Sequence, residues 1–257
     1  MPIVSVLSLK GGVGKTSVVL GLAGAATIKG LATLVIDLDP QGNATSILAA
    51  HKPTATAADV LSHPTLATLH EALTPCAWEV APGEVDVVPS SPELIGYDAF
   101  RNDAAFHPRL VKALSKLEGY DLVLIDCPPS LGALTRDALA ASDLALIVST
   151  PSYFSLQGAE RAAKEIEEIR KHHNPTLKLV GVLPNRVRSI ADEHDFRIKE
   201  LGEIFGRQVM RPSSPERIAL QQAEGFGKPV QTVRTAGARE VSAIFEKHLN
   251  HLLRAAR

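Results

Sequence analysis

Residues 10–16 read Lys-Gly-Gly-Val-Gly-Lys-Thr, directly after a short apolar run and directly before an Ala- and Gly-rich stretch. A strand that enters a glycine-rich turn and leaves it as a helix gathers backbone N–H groups and a helix N-terminus at one point, which favours a bound phosphate. Lys15 is then placed to reach β- and γ-phosphates, and the Thr16 hydroxyl to ligate magnesium. Gly11, Gly12, Val13, Gly14 and Ser17 complete the expected nucleotide-binding loop, with ATP and Mg2+ as its cofactors. The common form of such a loop would carry glycine at position 9, where this chain has Leu9, and here Lys10 opens the motif instead. Lys15 already serves the cradle of its own subunit, so Lys10 is either a solvated turn lysine or acts elsewhere.

The rest of the chain alternates short apolar runs with longer helical patterns. Strands are expected at 3–8, 33–37, 85–88, 122–126, 144–149 and 177–183, several of them continuous Val/Ile/Leu runs of the kind a parallel sheet buries on both faces. Helices are expected at 16–29, 108–117, 134–141, 158–172 and 192–205. This alternation predicts an α/β fold: a doubly wound, mostly parallel sheet with helices on both faces and a ligand crevice at the strand C-termini. Residues 49–78, with Pro53, Pro64 and Pro75, read as loop and short helices. No linker or repeat divides residues 1–257, so one domain is expected. Cys76 and Cys127 lack metal or disulfide spacing, and no apolar run reaches the length of a membrane span. A cytoplasmic protein is the expectation.

Three carboxylates fall at strand ends. Asp37 and Asp39 lie in Val-Ile-Asp-Leu-Asp-Pro-Gln-Gly-Asn, and Asp126 ends Tyr-Asp-Leu-Val-Leu-Ile-Asp-Cys-Pro-Pro. In a parallel sheet such residues sit on the edge that also carries the phosphate loop. Asp126 fits a magnesium role, direct or through water, and Asp37 is a second metal candidate. Asp39, just past its strand, could be presented by a loop to an attacking water. Each could instead cap a helix or form a turn.

Lys-Gly-Gly-Val-Gly-Lys-Thr, then Asp-Leu-Asp-Pro-Gln-Gly-Asn-Ala-Thr, then Tyr-Asp-Leu-Val-Leu-Ile-Asp-Cys-Pro-Pro-Ser, in this order, resemble the ParA-type partition ATPases of the ParA/MinD superfamily. The segment Pro151 to Gly158 and the run Gly227-Lys-Pro-Val230 look like further shared elements. The resemblance implies a homodimer closed around ATP, with Lys10 reaching the partner subunit's phosphates and Gly11 at the close interface. It gives Lys10, Lys15 and Asp39 catalytic parts and places Asn185, and more loosely Pro212, beside adenine. It also implies nonspecific DNA binding in the ATP state, which would bring the protein to the nucleoid, and a ParB-like or other partner protein that stimulates hydrolysis. Because the loop begins at residue 10, no room is expected for the N-terminal operator-binding domain of some plasmid relatives. The segment 210–222 departs from the commonest chromosomal form.

Net charge is −1, yet residues 186–257 hold 13 Lys and Arg against 9 Asp and Glu, while residues 1–185 hold 14 against 19. The sign suits contact with a phosphate backbone, and Arg186, Arg188, Arg211, Arg217, Arg234 and Arg239 are the candidates. The last helix, expected at 237–257, carries Val241, Ile244, Phe245, His248, Leu249, Leu252 and Leu253 on one stripe. A MinD-like membrane helix is one reading and a core-packing stripe the commoner one, so no stable membrane association is expected.

Overall fold

The computed structural model describes residues 1–78, 82–98, 106, 108–188 and 192–256. Among the described residues seven strands make one sheet: β1 (Ile3–Leu7), β2 (Thr33–Asp37), β3 (Thr74–Pro75), β4 (Val85–Val88), β5 (Leu122–Asp126), β6 (Leu144–Ser149) and β7 (Lys178–Pro184). Their order is β3-β4-β2-β5-β1-β6-β7. Every pairing is parallel except the two-residue edge strand β3, which runs antiparallel to β4.

Side chains alternate across the sheet, and both sides are covered. Leu34, Ile36, Val123, Ile125, Ala145 and Ile147 enter one core layer. That layer is closed by α3 (Ala57–Ser62), α4 (Leu66–Ala72), α6 (Arg109–Leu114), α7 (Ala133–Ala141) and α8 (Tyr153–His172). Val35, Leu122, Leu124, Leu144, Leu146 and Val148 enter the other. It is closed by α1 (Lys15–Ile28), α2 (Asn43–Leu48), α10 (Ile218–Gly225) and α11 (Ala236–Ala255). This is why the strands read as unbroken apolar runs. The remaining helices are α5 (Leu94–Asp98) and α9 (Asp192–Phe205).

The stripe of α11 is core. Val241, Ile244, Phe245, His248, Leu249 and Leu252 are all buried, and the helix packs along α1. The expected helix ran to Arg257, which lies outside the described residues. Among the described residues no helix is long and apolar enough to cross a membrane. Helix α8 starts at Tyr153 rather than at residue 158. Pro151 lies just ahead of its N-cap, Ser152, and prolines belong around a helix start. Helices α2, α5 and α10 and strand β3 were not expected as separate elements; none exceeds eight residues, too short to show a period.

Candidate nucleotide site

β1 lies between β5 and β6, and the chain leaves it toward β2 on one side, returning later to β6 on the other. The crevice of a doubly wound sheet forms at such a switch point, beyond the strand C-termini. The loop after β1 fills it. Gly12 (φ 75°) and Gly14 (φ 87°) are left-handed, a conformation side chains resist. At Gly14 a Cβ would also stand 2.5 Å from the amide nitrogen of Asn185. Helix α1 then begins without a side-chain cap and without an acidic residue in its first turn, so its positive end is uncompensated.

A cavity of about 370 Å³ opens over this helix end, lined by Gly11, Gly12, Gly14, Lys15, Thr16, Ser17, Asp39, Gln41, Asn43, Arg186 and Glu224 among others. Lys15 is buried at its wall, 7% exposed. Thr16 Oγ1 donates to Asp126 Oδ2 at 2.7 Å, while Asp126 Oδ1 is buried with no hydrogen-bond partner among the described residues. Burial, first, and the neighbouring Asp37 push the Asp126 carboxyl above the usual carboxylate range; Thr16 and Lys15 oppose that. An orphaned buried oxygen beside a threonine hydroxyl is the donor set a hard divalent cation relieves. Among the described residues no group of three or more His, Cys, Asp or Glu forms a metal cage. Magnesium rarely needs one, since it keeps waters and leans on substrate phosphates.

Asp37 pairs in register with Asp126, but its oxygens are taken. They accept from Thr45 N (2.8 Å), Thr45 Oγ1 (2.7 Å) and Asp39 N (3.1 Å), so Asp37 anchors the first turn of α2. Fully buried and absent from the cavity wall, it has the capping role that short carboxylates favour, which speaks against the expected metal role. Burial raises its carboxyl as well. Asp39 does line the cavity. Its Oδ1 accepts from Gln41 N at 3.0 Å and its carbonyl accepts from Ser90 Oγ, which fixes the backbone that presents it.

Lys10 departs from the other loop residues. It is exposed, does not line the cavity, and its Nζ lies 3.5 Å from Ser152 Oγ at the start of α8. A Cβ built at Gly11 meets nothing within 4 Å. Asn185 is buried behind the loop and donates to the Val13 carbonyl at 2.8 Å. Pro212 is off the cavity wall, its carbonyl 2.9 Å from His248 Nε2.

The six arginines separate. Arg186, held at φ 56°, donates to the Gly12 carbonyl at 2.6 Å and belongs to the loop cavity. Arg188 is paired with Glu216, and Arg217 with Glu240 at 2.8 Å. Arg211, Arg234 and Arg239 are exposed. Arg211 alone of the six enters a cleft of about 200 Å³ that also takes Arg207, Lys247, His251 and Arg254, with no carboxylate among the described residues of its wall. Sequence reasoning missed these last four: Lys247, His251 and Arg254 follow one another at helical spacing on α11, and the packing of α11 beside β7 brings them to Arg207 and Arg211.

A family model for an AAA domain matches residues 1–179. The chromosome partitioning protein ParA of Myxococcus xanthus is 35% identical over 236 residues, covering 89% of this chain and 80% of that protein. The sporulation initiation inhibitor protein Soj of Bacillus subtilis is 30% identical over 241 residues, covering 89% of each. Among solved structures, an ATP complex of McdA from Cyanothece superposes with a TM-score of 0.83 at 22% identity, covering 97% of this chain and 96% of that one; this likeness is one of fold. A cobyrinic acid a,c-diamide synthase from Mycobacterium smegmatis, with bound ADP and magnesium, gives a TM-score of 0.77 at 27% identity, covering 98% and 95%. The fold therefore serves more than one chemistry. The family match and the long partition-protein relatives decide the affiliation: the chain belongs to the ParA-type partition ATPases of the ParA/MinD superfamily.

Proposed function

We propose that this chain is a Mg2+-dependent ATP switch that dimerises around nucleotide, binds nonspecific DNA in that state, and is reset by hydrolysis that a ParB-like or other partner protein stimulates. Such a cycle positions a chromosome, a plasmid or a large protein cargo. The observation that carries the reading is the division between the two lysines: Lys15 is buried in its own cavity, whereas Lys10 stands exposed outside it.

In this reading the loop N–H groups and Lys15 hold the phosphates, and Thr16 with Asp126 holds magnesium, which supplies charge neutralisation at the phosphates. Asp39 orients the attacking water from a backbone pinned by Ser90. Lys10 of one subunit places its charge at the partner's phosphates, as an arginine finger does, and the exposed Gly11 lets the two backbones approach. DNA phosphates are held by the cleft of Arg207, Arg211, Lys247, His251 and Arg254, with Arg234 and Arg239 as further contacts. The stripe of α11 that suggested the MinD-like membrane reading is buried, so it gives that reading no support.

Light scattering on the Asp39→Ala protein tests the dimer. Its mass should double with ATP and Mg2+ and stay monomeric with ADP. A monomer with ATP demonstrably bound would overturn the proposal.

A further inference from the structure

The cavity over the phosphate loop has two unlike ends. β2 and β5, whose ends carry Asp39 and Asp126, lie on one side of β1, and β7, which leads into Asn185 and Arg186, lies on the other. A Cβ placed at Gly14 would stand 3.6 Å from Arg186 Nε and 3.7 Å from Ser17 Oγ, so Ser17 faces the β7 side. There, Ser17 Oγ donates to Oε1 of Glu224, a residue of α10 that also lines the cavity. The carboxylates that serve hydrolysis mark the γ-phosphate end, which leaves the β7 side for the nucleoside.

A second acid at a polyphosphate site is repulsive unless it faces the uncharged part of the ligand. The hydroxyl groups of the sugar are the donors a nucleotide offers at that point, and a carboxylate accepts from them well. We propose that Glu224, oriented by Ser17, accepts a hydrogen bond from a ribose hydroxyl and makes the site select ribonucleotides over deoxyribonucleotides. Glu224 is a binding residue in this account, and Ser17 is its positioning residue. The inference rests on the ATP reading of the cavity and gives a part to Glu224, the acid in its wall that the reading left without one.

The test is calorimetric titration of the full chain with ADP, 2′-deoxy-ADP and 3′-deoxy-ADP in Mg2+, a series that avoids hydrolysis and leaves the sugar unlabelled. The wild type should bind ADP roughly tenfold more tightly than at least one deoxy analogue, the loss expected for one hydrogen bond to a charged acceptor. Glu224→Ala should bind ADP and that analogue equally, by weakening ADP alone. Glu224→Gln, which keeps an acceptor oxygen, should fall between. Discrimination that survives in Glu224→Ala, or a wild type that binds all three equally, would overturn the sugar assignment and leave the nucleotide site standing. A wild type that binds none of the three would overturn the nucleotide site itself.

Discussion

Two glycines three positions apart in one loop should respond to substitution in opposite ways. At Gly14 the backbone is left-handed (φ 87°), which costs a residue with a Cβ about 1–2 kcal/mol. The new Cβ would also stand 2.5 Å from the Asn185 amide nitrogen, the donor to the Val13 carbonyl. Displacing that buried donor costs a further ~1–3 kcal/mol. Gly14→Ala should therefore lose about 2–5 kcal/mol, a fall in Tm on the order of 5–15 °C for a chain of this size. At Gly11 a Cβ meets nothing within 4 Å and the backbone is not left-handed, so Gly11→Val should alter stability by no more than about 1 kcal/mol. Its effect should appear only between subunits: ATP still binds, and the ATP-dependent dimer is lost. Scanning calorimetry with light scattering, with and without ATP, reads both quantities. A Gly11→Val protein that melts more than about 5 °C low would show that the side chain clashes within its own subunit. One that dimerises normally would refute the close approach at this loop.

Other substitutions separate the remaining roles. Lys10→Ala should bind ATP as the wild type does but lose stimulated turnover by about a thousandfold, the low side of what a charge supplied in trans contributes; unchanged turnover would remove Lys10 from catalysis. Asp39→Ala should bind ATP and dimerise without turning over, and residual hydrolysis near the wild-type rate would move the water-positioning role elsewhere. Charge reversal at Arg207 and Arg254 should weaken DNA binding and flatten its salt dependence, while the same change at Arg188 and Arg217, already paired with Glu216 and Glu240, should do much less. His248 gives a pH prediction. Burial lowers its pKa to about 4, below the ~6.5 of an unfolded chain, so the folded protein binds fewer protons between those values. Stability should be intact above about pH 6.5 and fall as the pH drops toward 4, by roughly 3 kcal/mol in all. Urea titrations at pH 7 and pH 5 should show the loss, and His248→Gln should reduce it.

Much of the fold was legible because its elements are long or chemically marked. Six strands were visible as apolar runs buried on both faces, and the loop from Lys10 to Thr16 announces its own strand–turn–helix setting. What sequence missed follows from length and distance. α2, α10 and β3 are too short to establish a period. Asp37 looked like a second metal residue because strand position fixes where a carboxylate starts, not which donors reach it; Thr45, eight residues on, takes one of its oxygens. Arg186 looked like a DNA contact by charge alone, but its backbone turns it to the Gly12 carbonyl. In the cleft, the helical spacing of Lys247, His251 and Arg254 was a local signal, but their meeting with Arg207 and Arg211 depends on where α11 packs.

The most direct test of the switch is binding of Asp39→Ala to nonspecific DNA, with anionic vesicles in parallel, across a salt series in ATP and in ADP. The account predicts binding to DNA alone, only with ATP, falling steeply as salt rises and indifferent to DNA sequence. Binding to vesicles in place of DNA, or equal DNA binding in ADP and ATP, would contradict it.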